Sequence, residues 1–370
     1  MSDLREDIAR LVHSLHRVSR EAGPMAVMEV CGTHTVSLFR SGVKAFLPES
    51  FRLVSGPGCP VCVTAQGYVD AAIELALKPG LTVATYGDMV RVPGRKGSLE
   101  DLRAKGASVL VCYSIRDAIR HAQANPGQQV VFLAVGFETT APATAAAVLE
   151  AERLGVGNFS VLSGHKLVMP AVEALLSAGD VPLDGFLLPG HVSVIVGSRA
   201  FVPVAERFAK PAVVTGFEPE QMLRGLLRLA ELVAQRRPAI ENVYGVAVAE
   251  EGNPVAMAFI ERVFEPVDAE WRALGVIPAS GLGFRERFAA FDAARRFALT
   301  FGADYDPPGC LCGNVIQGKA MPGDCPHFAR GCTPRRPIGP CMVSSEGTCA
   351  AWFKYGRNFR HLPPPVLAAG

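Results

Sequence analysis

From about residue 25 to 264 the chain repeats one theme: a short apolar, β-branched run, a polar or glycine-containing turn, then a longer stretch with apolar positions at helical spacing. A strand buried on both faces loses the alternation of a half-exposed one, and crossover helices carry apolar residues three and four apart. The theme therefore predicts parallel sheets with helical crossovers. MAVMEV, FRLVSG, LTVATYG and SVLVCYS open the series, the last leading into the helical IRDAIRHAQAN. VVFLAVGFETT, FSVLSGH, GFLLPGH and PAVVTGF continue it as a second set, read as strands of one further sheet ending after ENVYGVAVAEEG. The expected fold class is α/β, with two open, Rossmann-like parallel-sheet domains facing a cleft and a C-terminal cysteine-rich domain.

The expected boundaries follow the chain. Residues 1–24 form an N-terminal amphipathic helix, 25–128 the first α/β domain, 129–252 the second, and 253–370 a more charged helical segment followed by the cysteine-rich region. The N-terminal charges are spread through the helical pattern, unlike a secretion signal, which needs an unbroken apolar stretch. No apolar run approaches the roughly 20 residues of a membrane helix. A cytoplasmic location is expected, where cysteines serve as ligands or redox groups more often than as structural bridges.

Composition narrows the function classes. With 370 residues, 49% of them hydrophobic, the chain can bury substantial cores. A formal net charge of +2 and 19% charged residues, without a block of like charge, point to neither nucleic acid nor an anionic membrane. A small-molecule or protein partner is expected instead.

Ligands of open parallel sheets bind beyond the carboxyl ends of the strands, where loops gather. Four loops fall there: CGTH, GPGCPVC, GFETT and SGH. Cys59 and Cys62 form a CxxC at a predicted helix start, where the dipole lowers a thiol pKa, so the pair can act as a redox couple or a two-sulfur metal clamp. Cys31 and His34 stand at CxxH spacing, with Thr33 and Thr35 available to cap the helix. Glu138 is either a surface acid near a helix capped by Thr139 or Thr140, or an anion or proton acceptor in the cleft. His165 and His191 also follow strands and read at least as well as hydrogen-bonded turn residues. Cys112 reads as core. GLGF at 281–284 lacks the strand and third glycine of a dinucleotide fingerprint.

Six of the ten cysteines, Cys310, Cys312, Cys325, Cys332, Cys341 and Cys349, fall in the last sixty-one residues among Gly and Pro. Cys310, Cys325, Cys332 and Cys349 are separated by fourteen, six and sixteen residues, and Cys312 can replace Cys310. Four well-spaced thiolates suit an iron-sulfur cluster, with structural zinc as the alternative. Cys341 is left to relay electrons or to pack.

Together CGTH, GPGCPVC, GFETTAP and the tail CTPRRPIGPCMVSSEGTCAAW resemble the signatures of the HypD family, which matures nickel-iron hydrogenases. The resemblance spans nearly the whole chain. It implies two α/β domains and a third carrying a four-iron four-sulfur cluster, held by Cys310 or Cys312 with Cys325, Cys332 and Cys349. It implies pairing with the small chaperone HypC, cyanide made by HypF and HypE, and a transient iron that acquires two cyanides and one carbon monoxide before delivery to the hydrogenase large subunit. It further implies that Cys31 holds iron with His34 beside it, that Cys59 and Cys62 bind iron or pass electrons, and that Glu138, Thr139 and Thr140 form a third cleft motif. The resulting expectation is an assembly scaffold with a redox step, not a free-standing turnover enzyme. The competing readings are a self-contained thiol-disulfide oxidoreductase with a structural metal tail, and a cluster-dependent enzyme acting on a small metabolite.

Overall fold

The computed structural model describes residues 2–356 and 359–365. The strands are β1 (Met25–Glu29), β2 (Phe51–Ser55), β3 (Leu81–Thr85), β4 (Val109–Val111), β5 (Gln129–Gly136), β6 (Phe159–His165), β7 (Gly185–Pro189), β8 (Ala212–Thr215), β9 (Ile240–Asn242), β10 (Phe264–Trp271) and β11 (Gly275–Phe284). They build a five-stranded parallel sheet in the order β2-β1-β7-β8-β9, a four-stranded parallel sheet in the order β4-β3-β5-β6, and an antiparallel β10-β11 hairpin. The α/β class read from the pattern is the architecture found.

Alternation along each strand explains the layers. Val27, Leu187 and Val213 of the larger sheet join a core with Val12 and Leu15 of the helix Ser2–Ala22 and Leu223 and Leu226 of the helix Pro219–Ala234. On the opposite face Met28, Phe186, Leu188 and Val214 belong to one continuous core with Val83, Val131, Leu133 and Val135 of the smaller sheet. The buried cysteines of the C-terminal region join that same core. Each such side chain contributes roughly 1.5–3 kcal/mol on burial, so this core ties the sheets and the tail together.

Strand pairing departs from the sequential halves expected from the sequence. β3 and β4 pair in the sheet of β5 and β6, while β7, β8 and β9 return to the sheet of β1 and β2. Both groups read as buried β-branched runs, and such runs carry no information about which neighbour they pair with. The stretch from 253 also differs from its helical expectation. After the helix Pro254–Val263 it becomes the hairpin, with a register shift between Val267 and Ala269. Pro266, Pro278 and the glycines of GLGF depress the local strand signal. Pairing and the burial of Trp271 and Ile277 override it.

Docking of the first helix is testable by chemical unfolding. Leu15 is fully buried and Leu4 is 49% exposed. Leu15→Ala should cost about 2–5 kcal/mol and Leu4→Ala less than about 0.5 kcal/mol.

Candidate functional site

β1 is flanked by β2 on one side and by β7 on the other. β1 leads on toward β2 and β7 toward β8, so the connections leaving their carboxyl ends diverge, which opens a crevice at a topological switch point. β3 is flanked in the same way by β4 and β5, so the end of β5 lies beside a second such point. A cavity of about 320 Å³ joins the two, lined by Cys31, Gly58, Pro60, Thr139, His191 and Glu346 among others.

Two glycines set the geometry of Cys31. The Gly32 N–H donates to the Gly58 carbonyl at 2.9 Å, fastening CGTH to GPGCPVC. A Cβ on Gly58 would stand 2.2 Å from the Cys31 nitrogen, and one on Gly32 would stand 2.5 Å from the Glu346 carbonyl oxygen. Three segments thus meet backbone to backbone, which side chains at either glycine would forbid. Cys31 is the N-cap of the helix Gly32–Arg40 and is buried. Burial, with the charges of Glu346 and Glu29, pushes its thiol up to about 12.

The other residues of the first motif turn elsewhere. The Thr33 hydroxyl donates to the Glu346 carboxylate at 2.6 Å instead of capping the helix. Thr35 and Ser55 donate their hydroxyls to Glu29, whose second oxygen has no partner. Burial raises Glu29 to about 7, opposed by those hydroxyls and by Lys44. The buried Lys44 ammonium lies 5.0 Å from the Phe39 ring centre. His34 does not line the cavity: its Nε2 donates to the Gly216 carbonyl at 3.1 Å, and its ring lies 4.9 Å from that of Phe217. Burial lowers it to about 4, so it is neutral.

Cys59 and Cys62 are joined as a disulfide, with Cα atoms 5.2 Å apart. The helix expected to activate them is the single turn Pro60–Val63, too short to build the dipole on which that expectation rested. This turn packs against the turn Pro340–Val343, which carries Cys341.

In the third motif Phe137 and Thr139 line the cavity, whereas Glu138 and Thr140 do not. Glu138 is neither the surface acid nor the cleft acceptor of the sequence reading. It is buried, accepts the Val168 N–H at 2.9 Å at the start of the helix Val168–Ala178, and is raised to about 7 by burial. Thr140 donates its hydroxyl to the Phe137 carbonyl at 3.1 Å. His165 is buried beside Thr144, whereas His191 is exposed in the cavity and stacks on Phe217 at 3.9 Å. Cys112 is buried, just beyond the end of β4.

All six tail cysteines line a second, small cavity, together with Gly339, Phe328 and Met342. The donor set is wholly sulfur, as soft metals and iron-sulfur clusters require. A Cβ on Gly339 would press to 3.0 Å on the Cys310 sulfur, and the Ile338 N–H reaches the Cys332 sulfur at 3.3 Å. Thiol contacts from Cys312 lower Cys310 to about 7, and those from Cys312 and Cys349 lower Cys341. Among the described residues no group of three or more His, Cys, Asp or Glu side chains has the arrangement that a single metal ion needs. The site fits a multi-thiolate group, and Cys341 lines it instead of standing apart.

The profile of the HypD family, described as "Hydrogenase formation hypA family", matches residues 6–356. The chain belongs to the HypD family. It is 46% identical over 352 residues to the hydrogenase maturation factor HypD of Azotobacter vinelandii, covering 92% of this chain and 93% of that one. It is 43% identical over 358 residues to the factor of the same name from Rhodobacter capsulatus, covering 95% and 94%. No helix among the described residues is long and apolar enough to cross a membrane.

Sequence reasoning missed two HypD residues around the cleft, Glu346 and Glu29, and left His191 open between a turn role and a site role. Glu346 is the only glutamate between Cys310 and Gly356, a signal available within SSEG. Glu29 ends an otherwise apolar run, as a surface acid would not. The position of His191 after a strand could not decide between the two, since its place depends on β7 pairing with β1.

Two outcomes test this geometry. Gly58→Ala should cost about 1–3 kcal/mol in urea unfolding, whereas Gly157→Ala, with nothing within 4 Å of the added Cβ, should be near neutral. The folded-state pKa of Glu138 is raised from 4.5 to about 7, so its contribution to stability is full below 4.5 and lost as pH rises through 7. Glu138→Gln removes that falling contribution. The variant's stability should therefore rise more steeply, or fall less, between pH 5 and 7 than that of the unsubstituted protein.

Proposed function

We propose that this hydrogenase maturation factor is the scaffold on which the Fe(CN)2CO unit of nickel-iron hydrogenase is assembled. Iron is bound as cargo at Cys31, with the HypC chaperone completing the site. HypE delivers the cyanide, and the finished unit passes to the hydrogenase large subunit in the cytoplasm. What carries this reading is the position of Cys31, among the described residues the one free cysteine lining the cavity at which the ends of both parallel sheets meet. A buried thiol raised to about 12 stays protonated at neutral pH, so iron must displace that proton to bind. The resulting thiolate would keep the iron electron-rich, as carbon monoxide binding requires. Val30, Phe137, Val192 and Ile195 give the cavity apolar walls that limit water around a reactive ligand.

The tail cysteines would hold the four-iron four-sulfur cluster, with Cys310, Cys325, Cys332 and Cys349 as ligands and Cys312 able to replace Cys310. Such a cluster, when bound, supplies electrons singly. Opening the Cys59–Cys62 disulfide takes two electrons and two protons. Packing of the Pro60–Val63 turn on the Cys341 turn supports a route between the two sites. In this reading Cys59 and Cys62 act as the redox pair or as auxiliary iron ligands, and Thr139 faces the cargo. His34, Glu138 and Thr140 hold the loops in position.

The closed disulfide favours one second reading, a self-contained thiol-disulfide oxidoreductase. Against it, Cys59 and Cys62 are 5% and 1% exposed, which bars a protein disulfide from in-line attack.

Infrared spectroscopy of the anaerobically purified complex with HypC separates the readings. Cyanide and carbon monoxide stretches are expected in the unsubstituted protein and in Cys112→Ala, and are expected to vanish in Cys31→Ala while its cluster absorbance persists. Intact bands in Cys31→Ala would remove Cys31 from the site. Turnover of a disulfide substrate without HypC would favour the second reading.

A further inference from the structure

A cavity of about 300 Å³, sharing no residue with the cleft, lies between β6, the segment after the CxxC turn, and the β10-β11 hairpin. It contains charges of both signs and no ion pair joins them. Lys166 is 8% exposed, and its ammonium donates one hydrogen bond, to the Glu270 carbonyl at 2.8 Å. Among the described residues two of its three donors therefore have no protein acceptor, and no ion pair involves it. Trp271 lies beneath, its ring centre 5.8 Å from the ammonium. The exposed Asp268 accepts the Ala279 N–H at 3.0 Å, and the half-buried Glu270 accepts the Asp304 N–H at 3.3 Å. Among the described residues Asp268 has no cationic partner, and Glu270 acts on Lys166 only from beyond ion-pair distance. Tyr68, Val267, Leu282 and Phe301 supply apolar wall.

A buried ammonium with no anion at ion-pair distance is costly, and burial lowers Lys166 to about 8, with Glu270 opposing from a longer distance. A ligand carboxylate at that depth would recover the lost interaction. A ligand that was only an anion would then meet Asp268 and Glu270, whose charges repel it. A second, positive group on the ligand removes that conflict. The volume lies at the lower end for small-molecule sites, which limits the ligand to about the size of one amino acid.

We propose that this cavity binds a small zwitterion of the α-amino acid class with an apolar side chain. Its carboxylate is held by Lys166, its ammonium faces Asp268 and Glu270, and its side chain lies against Tyr68, Val267, Leu282 and Phe301. The ligand would also touch Thr64 and Ala65, which directly follow the Cys62 turn, so occupancy bears on the segment that positions the disulfide.

The test is calorimetric titration of the full-length protein with L-leucine, L-methionine and L-phenylalanine, alongside 3-phenylpropionate and phenethylamine, which each lack one charge. At least one amino acid should bind saturably, and each singly charged analogue should bind about tenfold or more weakly than L-phenylalanine if that is the ligand taken. Lys166→Met should weaken amino acid binding about tenfold or more. Asp268→Asn, which keeps an acceptor for the Ala279 N–H, should weaken it about threefold to tenfold. Should Lys166→Met reduce the yield of folded protein, Lys166→Gln retains a donor for the Glu270 carbonyl and carries the same expectation. Quenching of Trp271 fluorescence in a Trp352→Phe background provides a local readout. Failure of all three amino acids to bind, or undiminished binding in the Lys166 variants, overturns the proposal. An uncompensated carboxylate or amine binding as tightly as its amino acid overturns it too.

Discussion

One backbone hydrogen bond, from the Gly32 N–H to the Gly58 carbonyl, holds the working end of this protein together. Gly32 opens the helix Gly32–Arg40, so its amide is one of those with no acceptor inside the helix. The second cysteine loop supplies that acceptor, and can approach only because Gly58 has no Cβ. On the other side Gly32 admits the Glu346 backbone equally closely. The same contact that satisfies a helix end therefore fixes Cys31, sets the CxxC loop beside it, and docks the cysteine-rich tail.

Around this junction the polar groups divide into two layers. Cys31, Thr139, His191 and Glu346 line the cleft. Behind them Glu29, His34, Glu138 and His165 are buried, and burial drives each toward its neutral form. Their hydrogen bonds tie loop to loop: His34 to the end of β8, Glu138 to the helix after β6, Glu29 to Thr35 and Ser55. Such a layer ties the cleft loops together without placing charge behind the cleft.

The α/β class was legible because buried parallel strands and their helices leave a strong local pattern. The motifs CGTH, GPGCPVC and GFETT could likewise be placed at strand ends from that pattern alone. Strand order was not legible. Pairing of β7 with β1 is a long-range event, and β-branched runs such as LTVAT and FLLP carry no partner label. His191 could not be assigned to the cleft for the same reason, and Glu346 reaches it only because the tail docks against Gly32. His34 and Glu138 misled in the opposite direction: motif proximity suggested a place in the cleft, whereas their side chains turn inward to satisfy backbone groups. The hairpin was hidden by prolines and glycines whose cost is offset by pairing and by Trp271.

The tail and the cleft belong to one core, so the proposed iron site and the proposed cluster site are parts of one folded unit, linked through the Cys59–Cys62 turn and the Cys341 turn. The central claim is that Cys31 anchors an iron distinct from any iron held by the tail. Mössbauer spectroscopy of the 57Fe-labelled complex with HypC, purified anaerobically, tests it most directly. The account predicts cluster iron together with a low-spin mononuclear iron, the latter absent from Cys31→Ser with the cluster signal unchanged. A mononuclear signal that survives in Cys31→Ser, or a spectrum of the unsubstituted complex containing cluster iron alone, would contradict it.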